Sequence, residues 1–243
     1  VADAGHRGLD EEAATCVVHM EETVYQCHRA LFGDRLWGQL LRLAPARRRP
    51  CRTVLLREGD AATHVLVLAG GSVAVSRQGG PGREATLLAV RGPGELLGEL
   101  AVLDEGRRTA TVVAAEDCQV HTVPAADFRR FVDRHDLHRA LLRQMVGRVR
   151  ENDEIRAELA AGSIPYRLAS ALLRLSFPPG HDGPTPVRVR LTQEELARMI
   201  GACRNAVGGA LRPWQRQGWV RTATGGGLLV EDPDALRRAM ASL

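Results

Sequence analysis

The 243-residue sequence predicts an α+β fold in three parts: a small antiparallel β-roll, one long helix, and a second domain of short helices closed by a β-hairpin. Three observations predict it. Between Cys51 and Val113, short runs rich in Val and Leu recur at even spacing and are punctuated by glycine turns, as in a small antiparallel roll or sandwich. From Asp136 to about Leu159 the apolar period becomes helical. The stretch Ala160-Ala161-Gly162-Ser163-Ile164-Pro165 then breaks the helix, and helical stripes and a strand–glycine–strand ending follow it.

Composition bounds the class. With 44% hydrophobic and 26% charged residues the chain reads as soluble and globular, long enough for one or two proper cores. No apolar run approaches the ~20 residues that span a bilayer, so no membrane partner is expected. No basic-then-apolar leader opens the sequence, which makes a cytoplasmic address the default. All 33 basic residues are Arg and the net charge is +4, unevenly placed. Between Arg188 and Arg221 seven Arg face only Glu194 and Glu195, an excess that favours a polyanion as partner. The five cysteines, Cys16, Cys27, Cys51, Cys118 and Cys203, are irregularly spaced without a CxxC and read as reduced thiols. Cys16, His19, Cys27 and His28 lie on one helical stretch, where four ligands rarely converge on a tetrahedron, so no metal is expected.

In order along the chain, residues 1–30 form a polar extension with a helix-like patch over Glu11–Leu31. Leu36, Leu40, Leu41 and Leu43 stripe a short helix over Phe32–Leu43, ended by Ala44-Pro45. The roll, with its helical entry, occupies residues 31–135. Its strands are Thr53–Leu56, His64–Leu68, Ser72–Ser76 and Ala85–Val90, with turns at Glu58-Gly59-Asp60, Gly70-Gly71 and Gly79–Gly82. The stretch Arg91–Thr111, R-G-P-G-E-L-L-G-E-L-A-V-L-D-E-G-R-R-T-A-T, has the chemistry of an anion pocket. Gly92, Gly94 and Gly98 let the backbone turn tightly and approach a ligand. Leu100–Leu103 forms one helical turn whose N-terminus aims free N–H groups beside Gly98 and Glu99. Arg108 follows and leads into a strand predicted from Thr109 to Val113. A guanidinium fork matches two phosphate oxygens and a carboxylate accepts from a sugar hydroxyl, so the pair suits a compact sugar phosphate.

The G-E-L-A and R-T-A-T segments resemble the phosphate-binding cassette of cyclic-nucleotide-binding domains, and the E-G-D turn and A-G-G-S-V corner resemble the same jelly-roll β-roll. The resemblance spans roughly Leu31–Phe131. It implies that Glu99 holds a ribose 2′-hydroxyl, that Arg108 holds the cyclic phosphate, and that Gly98, Leu100 and Thr109 complete the ligand site. No firm cofactor follows; cyclic AMP, cyclic GMP or a cyclic dinucleotide is the implied effector.

The long helix is assigned to residues 136–160, with Asp136 as N-cap. Leu142, Met145, Val149, Asn152, Arg156 and Leu159 alternate steps of three and four, a coiled-coil seam that predicts a parallel homodimer. Leu141 and Ile155, off the seam, are left to pack on the roll. Cyclic-AMP-responsive relatives carry Thr, often followed by Ser, where Asn152 and Asp153 stand. Asn152 can accept from an adenine amine, whereas Asp153 can bridge the adjacent donors of guanine. A weak or unproductive response to cyclic AMP is therefore expected.

Residues 161–243 read as a winged helix-turn-helix: a helix over Tyr166–Leu175, a strand over Val187–Leu191, two short helices, then a hairpin around Gly225-Gly226-Gly227. Thr192-Gln193-Glu194-Glu195 is a capping box. Ala197, Gly201 and Val207 have the spacing at which a small residue admits a second helix, a glycine makes the turn and a Val packs back. The run L-T-Q-E-E-L-A-R-M-I-G-A-C-R-N-A-V resembles the DNA-binding domain of the catabolite activator/FNR superfamily. That resemblance implies double-stranded DNA as partner, base reading by Arg204 and Asn205, a phosphate contact at Thr192, and Cys203 and Gly208 as further DNA-binding positions; RNA polymerase is a further candidate partner. Arg suits guanine and Asn suits adenine. The chain departs from the pattern at Cys203, where Ser is usual and a cap hydroxyl is lost, and at Ala206 and Gly209. Gly208, Gly209 and Pro213 weaken a helix interior, and Pro213 predicts that the recognition helix ends or kinks near Leu211.

The expected function is that of a ligand-responsive homodimeric DNA-binding regulator and not an enzyme, since Glu99 and Arg108 have no nucleophile, base or metal partner at motif spacing. Two alternatives stand beside it: a nucleotide-binding dimer whose degenerate helix-turn-helix serves protein interaction, and a thiol or metal redox sensor on the same scaffold.

Overall fold

The computed structural model describes residues 26–80, 85–176, 188–189, 191–223 and 227–242. An entry helix α1 (His28–Leu41), bent at Gly33, leads into eight strands: β1 (Ala46–Arg49), β2 (Val54–Leu56), β3 (His64–Gly70), β4 (Val73–Arg77), β5 (Thr86–Arg91), β6 (Leu96–Leu97), β7 (Thr111–Ala114) and β8 (Cys118–Pro124). A short helix α2 (Glu99–Leu103) interrupts them after β6, and α3 (Ala125–Arg134) closes the roll. The strands form two antiparallel four-stranded sheets, β1-β8-β3-β6 and β2-β7-β4-β5.

Strand β3 shows why the roll reads as it does. Its run His64-Val65-Leu66-Val67-Leu68 is apolar on both faces because each face meets a different core. Val65 and Val67 join Leu96, Val102, Val123 and Phe128 under the helices α1, α2 and α3. Leu66 and Leu68 join Leu56, Leu97, Val112 and Val120 between the two sheets. Successive strand side chains alternate faces, so a run with no polar break fills both layers.

The long helix α4 (His138–Ala161) lies on the roll through Leu141, Gln144 and Arg148. Gly162 then turns the chain into α5 (Ile164–Ser176). The second domain packs α5, α6 (Gln193–Met199), α7 (Arg204–Arg216) and α8 (Pro233–Ala241) around Leu168, Leu172, Leu196, Val207, Leu211, Trp214 and Leu236. Its hairpin pairs β9 (Val220–Thr222) with β10 (Leu228–Val230), and Val189 bridges to Leu228 beside it. This is the roll, long helix and winged helix-turn-helix order expected from the sequence.

Local details differ. The strand after Arg108 begins at Thr111, not Thr109, because the Glu58-Gly59-Asp60 turn binds the Arg108 backbone: Gly59 N–H donates to Arg108 O at 2.8 Å and Arg108 N–H to Asp60 O at 2.9 Å. Asp136 does not cap α4. It sits in the reversal between α3 and α4 at φ 49°, a left-handed position that Asp tolerates, and Leu137 is the N-cap. Pro213 does not end α7 near Leu211; the helix continues to Arg216. The clash that proline brings falls on the carbonyl four residues back, which belongs to Gly209, and buried Leu211 and Trp214 hold the helix on the core. Of the strand expected over Val187–Leu191, Val187 and Arg190 lie outside the described residues, as do most of the Glu11–Leu31 patch and Gly225-Gly226 of the hairpin turn.

Candidate functional site

The cassette is held from both ends. Gly98 is the N-cap of α2 at φ 79°, and a Cβ there would overlap the Arg108 guanidinium, so only glycine lets that side chain lie across the turn. Arg108 is 4% exposed; it donates from Nη1 to Gly98 O at 2.6 Å and from Nη2 to His64 O. Burial pulls its pKa below the usual guanidinium range, while Glu99 and Asp60 oppose that pull. Burial and the neighbouring Arg108 also lower the pKa of His64, keeping its ring neutral at neutral pH. Glu99, the first residue of α2, is 2% exposed, Leu100 is half-buried and Thr109 is exposed. The structure therefore brings Gly98, Glu99 and Arg108 together around one turn, a carboxylate beside a cation whose remaining N–H groups suit an anion.

Three residues outside the motif complete this cluster. Arg148 of α4 donates from Nη1 to Glu99 Oε1 at 2.8 Å and lies 3.5 Å from Glu95 Oε2 through Nη2. His28 of α1 places Nδ1 2.7 Å from Glu95 Oε2. Nothing local in sequence announces these partners: His28 and Arg148 stand 67 and 53 positions from Glu95. The His28 ring is thus engaged by the roll. Cys16 and His19 lie outside the described residues.

Helix α4 carries two parallel stripes. Leu141, Gln144, Arg148 and Glu151 face the roll, with Arg91 Nη2 3.3 Å from Glu151 Oε2. One residue further on, Leu142, Met145 and Val149 are 58%, 41% and 59% exposed, and Leu159 continues the row. Asn152 and Asp153 are exposed on this second side; Asp153 lies 3.5 Å from Arg156. Within one chain they do not join Glu99 and Arg108.

In the second domain Thr192 and Glu195 form the reciprocal capping box: Glu195 N–H donates to Thr192 Oγ1 at 3.2 Å, and Thr192 N–H to Glu195 Oε2 at 2.7 Å. The Thr192 hydroxyl also donates to that carboxylate at 2.8 Å, so it is engaged within the box. Gly201, at φ 61°, makes the turn. Cys203 is the exposed N-cap of α7 without a side-chain cap bond. Arg204 and Asn205 are exposed at the start of α7, and Gly208 lies close under Gln193. Arg212 and Arg216 are exposed two and three turns further along α7; the Arg excess of this region was their only sequence signal. Three exposed guanidinium groups therefore lie along α7 with Asn205. The joint to α4 is fixed by Glu158, which accepts from Ser170 Oγ at 2.7 Å and Arg174 Nη1 at 2.8 Å.

Residues 46–135 match the cyclic nucleotide-binding domain family, and residues 166–239 match the Crp-like helix-turn-helix domain family. The chain is 32% identical over 184 residues to the CRP-like cAMP-activated global transcriptional regulator of Mycobacterium tuberculosis, covering 74% of this chain and 81% of that one. It is 34% identical over 173 residues to the cyclic AMP receptor protein of Thermus thermophilus, covering 69% and 76%. Among solved structures, the c-di-GMP responsive global regulator CLP of Xanthomonas campestris superposes with a TM-score of 0.63 at 22% identity, over 82% of this chain and 99% of that one, a likeness of fold alone. No helix among the described residues is long and apolar enough to cross a membrane.

Proposed function

The chain belongs to the CRP/FNR superfamily of transcription regulators, and on that premise we propose that it is a homodimer whose β-roll binds a cyclic nucleotide and whose helix-turn-helix domains then read duplex DNA. The observation that carries the reading is the turn at Gly98, where a buried Glu99 and a buried Arg108 stand side by side. A cyclic phosphate takes the Arg108 N–H groups left beyond the bonds to Gly98 O and His64 O, and a ribose hydroxyl donates to Glu99. The exposed row Leu142, Met145, Val149 and Leu159 supports pairing with a second α4. That pairing sets the distance between two recognition helices, and Arg204, Asn205 and Arg212 on each reach the major groove. An α7 that runs unbroken past Pro213 favours this reading over a domain given to protein interaction. Binding of ligand and DNA is then reciprocal, each tightening the other by the same factor.

The test is calorimetry with cyclic AMP, cyclic GMP and cyclic di-GMP on the wild type and on Arg108→Ala. At least one nucleotide binds the wild type, and Arg108→Ala weakens it by about a hundredfold or more, since bonds to a charged group contribute roughly 1.5–3 kcal/mol each. Asn152 and Asp153 make cyclic AMP the weaker of the two mononucleotides in driving DNA binding. No binding by any of the three, or full affinity in Arg108→Ala, overturns the assignment.

A further inference from the structure

A hollow of about 440 Å³ opens in the second domain, where Ile164 and Pro165 of α5 and the end of α8 face the middle of α7. Sites for small ligands run from roughly 300 to 1,000 Å³. The α7 wall is Ala206, Gly209, Ala210 and Pro213, a spacing that puts all four on one helix face. These side chains are too short to fill the space, and a Cβ built on Gly209 meets no neighbouring atom within 4 Å. Of the chain's three Trp, Trp214 and Trp219 both line the hollow, while Trp37 belongs to α1. Trp214 is 5% exposed, yet its indole N–H has no partner among the described residues and is not sealed from solvent. A buried indole N–H normally finds an acceptor. No acidic residue lines the hollow. Arg212 and Arg216, three positions beyond Gly209 and Pro213 on α7, are exposed and form no ion pair among the described residues.

We propose that this hollow is a ligand site separate from the β-roll and that it takes a small aromatic carboxylate. The aromatic body lies against the Trp214 and Trp219 indoles and the Pro165 and Pro213 rings, and its burial removes apolar surface of both sides from water. A neutral apolar ring alone leaves the Trp214 N–H without an acceptor. A carboxylate supplies one, and its charge is matched by guanidinium groups that pair with carboxylates through two parallel bonds. An amine or other cation finds no acidic partner in the lining and two arginines beside it. An occupant that holds Arg212 and Arg216 also takes two cations of α7 away from duplex phosphates. That last consequence alone rests on the DNA-reading assignment; the site itself does not.

The experiment titrates the full chain, without nucleotide or DNA, with 4-tert-butylbenzoate and with its neutral isostere 4-tert-butylbenzamide, read by Trp fluorescence and calorimetry. The benzoate is expected to change Trp emission saturably with a Kd below about 1 mM, within reach of a ligand of this size. It is expected to bind at least about threefold tighter than the amide, the scale of an exposed ion pair. Gly209→Leu places a side chain in the open space without displacing a neighbour and is expected to weaken both probes about tenfold or more. In the double variant Arg212→Ala/Arg216→Ala the two probes are expected to bind alike. No saturable binding, full benzoate affinity in Gly209→Leu, or an undiminished preference for the benzoate in the double variant overturns the proposal. Should Gly209→Leu fail to fold, Ala239→Leu fills the hollow from α8 and carries the same test. Saturating benzoate is also expected to weaken binding to a random duplex by about threefold or more, and the amide to leave it unchanged. Duplex affinity untouched by bound benzoate contradicts its hold on Arg212 and Arg216 and overturns the carboxylate assignment. A wild type that binds no duplex at all removes the DNA-reading assignment, and the probe titrations then decide the site by themselves.

Discussion

Burial sets the chemistry of single side chains here, and two of them give direct tests. His64 has its pKa lowered from about 6.5, first by burial and then by Arg108. A histidine whose pKa falls on folding binds its proton more readily in the unfolded chain. Its share of stability is therefore present above pH 6.5 and is lost as pH falls through the lower, folded value. Melting temperature is expected to drop as pH falls below 6.5, and the slope to flatten in His64→Gln. An equal slope in both proteins places the pH dependence elsewhere. Cys118 is the second case. Burial pushes its thiol up to about 11, leaving almost no thiolate near neutral pH, whereas Cys203 is exposed. Iodoacetamide at pH 8 is expected to label Cys203 in the native protein and leave Cys118 unmodified until the chain unfolds. Peptide mapping of the labelled protein decides it, and early labelling of Cys118 contradicts its burial.

At the scale of elements, the two motifs legible in the sequence are those whose parts are local. The capping box at Thr192, the turn at Gly201 and the Glu99–Arg108 cassette each depend on residues within a few turns of one another, so spacing alone points to them. Long-range partners leave no such trace. Arg148 and His28 reach the cassette only because α4 and α1 pack on the roll, and β1, Ala-Arg-Arg-Arg, has no apolar pattern of its own; α3 and α8, by contrast, do carry a helical stripe, Phe128, Phe131 and Val132 in one and Ala235, Leu236 and Met240 in the other. Propensity also misleads where packing wins: Pro213 is weak inside a helix, yet buried Leu211 and Trp214 keep α7 continuous. The glycines of α7 and of the cassette then predict opposite outcomes. A Cβ on helical Gly209 meets no neighbouring atom within 4 Å, so Gly209→Ala is expected to stabilise the domain by about 0.5–1 kcal/mol in urea unfolding. Gly98→Ala is expected to destabilise the chain and to remove nucleotide binding in calorimetry, because its left-handed backbone and the Arg108 guanidinium leave no space for a methyl group. A stabilised Gly98→Ala with intact affinity contradicts the geometry of the turn.

At the scale of the molecule, α4 is the element that joins the roll to the helix-turn-helix domain. One stripe meets the roll through Leu141, Gln144, Arg148 and Glu151, and the adjacent stripe leaves Leu142, Met145 and Val149 exposed. An apolar row at heptad spacing beside a row committed to the protein's own core is the arrangement that the proposed pairing of two α4 helices requires. Val149 is 59% exposed in the single chain, so Val149→Asp removes little intramolecular packing and its effect on the fold is expected within about ±0.5 kcal/mol. In a parallel pair the two aspartates face each other across the seam, away from water and without a partner. Light scattering is expected to give a monomer. Affinity for a selected duplex with two half-sites falls steeply, because one recognition helix engages where two did. Salt-sensitive binding to random DNA persists, since Arg204, Arg212 and Arg216 remain exposed on each copy. Nucleotide binding is also expected to persist, since Glu99, Arg108 and Arg148 lie on the roll side of the helix. A Val149→Asp protein that stays dimeric puts the interface on another surface; one that becomes monomeric and loses nucleotide binding as well shows that the second copy completes the ligand site.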